Sequence, residues 1–269
     1  MFLWSCQVKS FFFSLKERVK EVDSNVCVGI DPHFDYFDNN SNIKDKLIQW
    51  SMALVEKTHE HAACFKVNIA FFEEHGSEGI RALEKIIPQI QKIAPLILDA
   101  KRGDISSTTK SYAKAYFEGW GVKSVTVNPF IWEDSFEPLL KYPQAGVFLL
   151  CHTSNSRASE LQRRIGEDKL PLYAWIAKKI NSHPLKDQIG LVVGATQQEI
   201  IANVRKYVPS TWLLCPGIGI QQGNLYKTIT NGWGNDGHIL ITSSRSIAES
   251  HDPTETTKKL KEKIQIIKG

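Results

Sequence analysis

"LILDAKRGDISST", residues 96–108, opens as an apolar run and then places four charged side chains, Asp99, Lys101, Arg102 and Asp104, within six positions. Its first half is too short for a helix and reads as a buried strand. A strand that turns ionic where it ends suits a barrel of parallel strands, whose chemistry collects at the strands' C-terminal ends. A solvated loop would carry the same charges, so the rest of the chain has to decide.

Seven further runs share its strand-like composition: "VCVGID" (26–31), "CFKVN" (64–68), "SVTVNPF" (124–130), "VFLLCHTS" (147–154), "IGLVVGA" (189–195), "WLLCPGIG" (212–219) and "HILITSSR" (238–245). Amphipathic stretches such as "IKDKLIQWSMALVEKTHEH" and "EGIRALEKIIPQIQKI" separate most of them. Strand–helix alternation implies a parallel sheet with crossover helices. Eight such units in 269 residues predict an α/β fold, a (β/α)8 TIM barrel of eight parallel strands. A doubly wound open sheet is the alternative, but no GxGxxG follows the first strand. No linker or low-complexity segment divides the chain, so residues 1–269 are read as a single barrel domain. Residues 1–25 form an N-terminal helical extension, in which "SFFFSLKERVKEV" is an amphipathic helix covering the bottom of the core.

Composition narrows the class. Hydrophobic residues make up 42% of the chain, enough for a sizeable core. The net charge of +4 favours a small anionic ligand and carries no nucleic-acid signature. No stretch is apolar enough to span a membrane, and the N-terminus lacks the basic start of a secretory signal. The five cysteines are odd in number and form no CxxC; four sit in strand-like runs, which points to a reducing compartment, the cytoplasm. "HEH" at 59–61 is read as helix surface, since residues two apart diverge on a helix.

The predicted strand ends gather Asp31, Lys66, Asn68, Asp99, Lys101, Asn128, Thr153, Ser154, Asn155, Ser243, Ser244 and Arg245 on one rim. Residues two apart on a strand face the same side, so Asp99 and Lys101 point inward together, as do Lys66 and Asn68, while Arg102 points elsewhere. Neighbouring strands lie about 4.8 Å apart, which lets Lys66, Asp99 and Lys101 form an alternating cluster with Asp104 near it. A lysine beside aspartates is held as an ammonium and suits a proton donor better than a Schiff-base amine. An aspartate set against a substrate carboxylate favours its loss as CO2, and the lysine can then protonate the carbanion. A plain salt-bridge network tying strand ends together is the competing reading. At the other side of the rim, glycine-rich "CPGIGIQQGN" and "ITSSRSIAES" suit a phosphate, with Arg245 as its ion-pair partner. His152 is expected to be packed rather than catalytic.

"LDAKRGDISST" closely resembles the D-x-K-x-x-D-I-x-x-T signature of the orotidine 5′-phosphate decarboxylase family. The likeness extends to "VGIDP", "FKVN", "TSN", "PGIG-x-Q" and "SSRSI", and so covers nearly the whole chain. "TSN" and the chain length are similar to the longer, second bacterial type. The resemblance implies decarboxylation of orotidine 5′-phosphate to UMP, the last step of pyrimidine synthesis, without metal or organic cofactor. It implies catalytic roles for Lys101 (proton donor to C6), Asp99 (against the substrate carboxylate), Lys66 and Asp104. Asp31 and Lys66 would bind the ribose, Ser154 the pyrimidine amide edge, and Gln221 and Arg245 the phosphate. It also implies a homodimer with shared sites, in which Asp104, Ile105 and Thr108 serve the partner's site. Two departures, Gln222 and Ser244 where many members have glycine, bear on the phosphate contacts. Magnesium-dependent sugar-phosphate decarboxylases and synthases of the same superfamily share D-x-K-x-x-D and are the nearest rivals; a non-catalytic nucleotide-binding barrel is the other.

Overall fold

The computed structural model describes residues 9–33, 42–218 and 223–269. The strands are β1 Val26–Ile30, β2 Cys64–Asn68, β3 Leu96–Arg102, β4 Ser124–Val127, β5 Gly146–His152, β6 Ile189–Val193, β7 Leu213–Pro216 and β8 Ile239–Ser243. Each pairs in parallel with the next, and β8 closes on β1 through Val26↔Ile241, Cys27↔Thr242 and Val28↔Ser243. That closure excludes the open sheet. All eight expected runs are strands, although several stop one to three residues before the expected end. Asn128-Pro129, Gly194 and Gly217 lie in those tails, and such residues leave the hydrogen-bonded ladder readily.

The helices are α1 Phe11–Val22, α2 Ile43–Thr58, α3 Ala70–Glu73, α4 Gly76–Gln91, α5 Ser106–Ala113, α6 Glu137–Leu140, α7 Ala158–Gln162, α8 Leu172–Asn181, α9 Gln198–Tyr207, α10 Leu225–Gly232, α11 Arg245–Ala248 and α12 Pro253–Lys268. The two-residue strand period divides the buried side chains into two cores. Outward-facing Val28, Val67 and Leu98 join helix residues such as Leu83 and Ile86 in the larger core between strands and helices. Inward-facing Cys27, Cys64, Ile97, Phe148, Leu214 and Leu240 form a smaller core inside the barrel.

Helix α1 closes the bottom of that inner core, as its amphipathic pattern predicts. Ser10 starts it, accepting the Phe13 N–H at 3.3 Å. Phe11, Phe12 and Leu15 are buried against the barrel floor. The Phe12 ring meets Phe148 edge-on at 5.3 Å and lies parallel to Trp212 at 6.3 Å. Gly146 permits this approach: a Cβ there would stand 2.5 Å from the Phe11 ring. The helix ends at Asp23 in the left-handed conformation, φ 44°. Lys268 and Gln265 of α12 hold the Asp23 carboxylate at 2.7 and 2.6 Å, and the Lys268 hydrogen bond holds that carboxyl below its usual range. Helix α12 exposes Lys258, Lys259 and Lys263 and buries Thr257 and Ile264. Among the described residues, no helix is long and apolar enough to cross a membrane.

Candidate active site

The inner core gives way to a cavity of about 400 Å³ at the C-terminal mouth. Its charged wall comes from β1, β2 and β3. Lys66 projects from β2 and is only 6% exposed. Its Nζ lies 2.6 Å from Asp99 Oδ2 and 3.8 Å from Asp31 Oδ1. Lys101 Nζ lies 2.7 Å from the other oxygen, Asp99 Oδ1, and its side chain is half exposed to the cavity. Asp99 therefore carries one lysine on each oxygen. Burial pushes its carboxyl upward, but the Lys66 and Lys101 ammoniums outweigh burial and hold it well below the ordinary carboxylate range. For Lys66 burial favours the neutral amine, and Asp31 and Asp99 reverse this, so it stays an ammonium.

The strand alternation predicts the Asp99–Lys101 contact, but the path to it is irregular. Lys101 has φ +47°, outside the β region. Between the register pairs Leu98↔Val125 and Arg102↔Val127, three residues of β3 stand against one of β4, Thr126. Arg102 points away from the cavity, as expected, and there it binds Glu73 of α3 and donates to the Tyr116 hydroxyl at 3.2 Å. Asn68 does not line the cavity; its side chain accepts the Ala70 N–H at 3.3 Å, at the start of α3. Asp104, expected near the cluster, does not line it either, nor do Ile105 and Thr108. The Asp104 carboxylate accepts the Ile105 N–H at 2.7 Å, and Ile105 is 54% exposed.

On the far side, Thr153, Ser154 and Asn155 line the cavity after β5, and Ser244 and Arg245 line it after β8. Gly194 lets Ser154 sit close, since a Cβ there would lie 2.6 Å from the Ser154 backbone. Ser244 replaces a glycine of the resembled pattern, and Gly29 of β1 makes the room: a Cβ at Gly29 would stand 1.8 Å from Ser244 Oγ. Arg245 opens the short helix α11 with its side chain at the cavity. Gly217 of the glycine-rich turn takes φ +105°, which an L side chain resists. Gln221 and Gln222 lie outside the described residues.

Thr126 and Thr242 are cavity residues that the rim reading missed, together with an apolar floor of Leu150, Val192, Leu214 and Pro216. Parity carried one step back from Asn128 would have found Thr126. Thr242 is buried, and its hydroxyl finds no hydrogen-bond partner among the described residues. His152 is buried off the cavity, with Nδ1 at 3.2 Å from the Thr153 carbonyl and its ring edge-on to Tyr173. Burial lowers its pKa and keeps it neutral. Cys27, Cys64, Cys151 and Cys215 are buried free thiols. Among the described residues, no group of three His, Cys, Asp or Glu side chains could hold a metal ion.

Residues 24–260 match the family described as orotidine 5′-phosphate decarboxylase / HUMPS. An orotidine 5′-phosphate decarboxylase of Natronomonas pharaonis is 39% identical over 241 residues, covering 88% of each chain. The structure of Leishmania donovani OMP decarboxylase superposes with a TM-score of 0.86 at 37% identity, over 96% of this chain and 98% of that one. Leishmania donovani UMP synthase superposes with a TM-score of 0.88 at 39% identity, over 96% of this chain and 56% of that longer one. The lysine-clamped aspartate at the mouth of a closed barrel and the match over nearly the whole chain agree: the protein belongs to the orotidine 5′-phosphate decarboxylase family.

Proposed function

We propose that this chain converts orotidine 5′-phosphate to UMP and CO2 in the mouth cavity. The observation that carries the reading is Asp99 with a lysine on each oxygen, facing a cavity of nucleotide scale. A substrate carboxylate set beside Asp99 is repelled, and the repulsion falls as CO2 departs. The C6–carboxylate bond breaks and its electron pair stays on C6. The Lys101 ammonium stabilises that charge and gives C6 a proton, then regains one from water. Lys101 is the more exposed of the two lysines, which suits the exchanging donor, while buried Lys66 holds Asp31 and Asp99 in place.

Asp31 and Lys66 bind the ribose hydroxyls, Ser154 reads the pyrimidine amide edge, and Arg245 with Gln221 binds the phosphate. The chain's own groups carry each step, without metal or organic cofactor. Both Asp99 oxygens are engaged, by Lys66 on one side and by Lys101 and Thr126 on the other. Loss of orotidine 5′-phosphate absorbance at an undiminished rate in the presence of a chelator is the expected result. No turnover, or turnover that stops with chelator, would overturn the reading.

The site is shared between two copies of the chain. Asp104, Ile105 and Thr108 do not line their own cavity; exposed Ile105 directly precedes Ser106, whose hydroxyl donates to Asp134 at 2.5 Å on the segment that carries exposed Phe130 and Ile131. Such an apolar patch suits a second copy. Mixing Lys101→Ala and Asp104→Ala subunits should restore one intact site per heterodimer; a verified heterodimer without activity counts against sharing. "TSN" at residues 153–155 supports the longer bacterial type of the family. The buried free thiols support work in the cytoplasm.

A further inference from the structure

We propose that Thr126 is a positioning residue for the decarboxylation: its single hydroxyl locks the Lys101 backbone to the Asp99 carboxylate and so sets where the proton donor stands. The irregular end of β3 makes this necessary. With three residues of β3 against one of β4, the Lys101 N–H is served by a side chain in place of a ladder carbonyl. Thr126 Oγ1 accepts that N–H at 3.0 Å and donates its own proton to Asp99 Oδ1 at 2.8 Å. The same Asp99 oxygen receives Lys101 Nζ at 2.7 Å. A closed loop results, from the Lys101 amide through Thr126 and Asp99 back to the Lys101 ammonium.

A hydroxyl has one proton to give and lone pairs to accept with, so both bonds form at once. A left-handed φ is unfavourable for lysine, which persists there only when its surroundings over-determine it. Thr126 is fully buried and lines the cavity, and β-branching restricts its χ1, so the hydroxyl is a rigid post. Lys101 is a long, half-exposed side chain that has no such stiffness of its own.

The inference rests on the decarboxylase reading, which wild-type turnover of orotidine 5′-phosphate in the same assay tests separately. Thr126→Val keeps the shape and removes the hydroxyl; Thr126→Ser keeps the hydroxyl and removes the methyl. T126V is expected to lower kcat about tenfold to a hundredfold, with KM and the affinity for UMP within about threefold of wild type. T126S is expected to return kcat to within about threefold of wild type. A T126V enzyme with unchanged kcat overturns the assignment in an active wild-type background. So does equal loss in both variants, because the hydroxyl that T126S keeps would then not be what aims Lys101, or a T126V chain that does not fold, because the hydroxyl would then hold the fold rather than the donor.

Discussion

The floor and the mouth of the barrel interior are built from the same strands and differ by one strand period. Cys64, Ile97 and Ser124 lie two residues before Lys66, Asp99 and Thr126. The lower layer meets the aromatic side chains of α1, Phe148 and Trp212. The upper layer carries Lys66 and Asp99, buried and paired. Two residues of chain thus separate a part that can lose contacts at the expense of stability from a part that can lose groups at the expense of chemistry. Floor changes should move the melting temperature and leave turnover alone; mouth changes should do the reverse, except where a mouth residue is also a buried counter-ion.

Lys101→Ala is the sharpest trial of that division. Removing the proposed proton donor should lower kcat about a thousandfold. Its ammonium is half exposed, so the melting temperature should move by no more than about 2 °C. Steady-state assay and thermal melt on one preparation check both. A thousandfold loss accompanied by unfolding would mean that the mouth holds the barrel together after all.

Asp99→Ala should breach the division, because Asp99 is both site and counter-ion. It leaves buried Lys66 with Asp31 alone, at 3.8 Å. Stripping one partner from a buried pair costs about 3 kcal/mol or more, and turnover should vanish as well. The pH dependence has a definite sign. The Asp99 carboxyl is held low in the fold, so its contribution is full above the unfolded value near 4 and is lost as pH falls through the lower folded value. Lys66 is raised, so its contribution is full below about 10.5 and is lost as pH rises through the higher folded value. Between those limits the network should add a flat stability, and denaturation midpoints of wild type and D99A across acid pH should converge. Parallel curves would mean that Asp99 is not what the acid limb protonates.

At the floor, Phe12→Ala should cost about 3 kcal/mol through the cavity left between Phe148 and Trp212. Its kcat should stay within about twofold, since no ring of α1 reaches the mouth cavity. A large kcat loss in folded F12A would show that the floor also tunes the ionic layer above it.

How legible each region was from sequence follows from how regular it is. Short apolar runs between amphipathic stretches gave away all eight strands, a helical apolar face gave away the α1 cover, and both followed from burial, while the rim side chains were sorted by strand parity. It also paired Asp99 with Lys101, yet it assumed a regular strand, whereas the contact is made through a left-handed Lys101 opposite Thr126. An insertion of that kind leaves no compositional mark, and Thr126 looks like an ordinary strand residue. Gly29 and Ser244 show the same limit: each looks permissive alone, and only closure of β8 on β1 brings the hydroxymethyl into the gap. Asp104 was expected beside the cluster because it follows Lys101 by only three positions, but the turn into α5 spends its carboxylate on the Ile105 amide. Under the shared-site proposal, that residue serves a second chain.

The smallest expected effect tests whether Lys101 is aimed from inside the barrel or from outside. Arg102, the next residue, ties the outer side of β3 to Glu73 on α3 and to the Tyr116 hydroxyl, with its guanidinium over the Tyr112 ring at 5.7 Å. Glu73→Gln removes the charge and keeps an acceptor. Both partners of the pair are partly exposed, so the change should cost about 0.5 kcal/mol, with kcat within about twofold of wild type. If Thr126 is the post that sets the donor, the outer tie is only reinforcement, and E73Q should resemble wild type in turnover while T126V does not. A kcat loss in E73Q as deep as that in T126V would place the control of Lys101 on the helix side of the wall, and the inner loop of hydrogen bonds would then follow Arg102 rather than lead it.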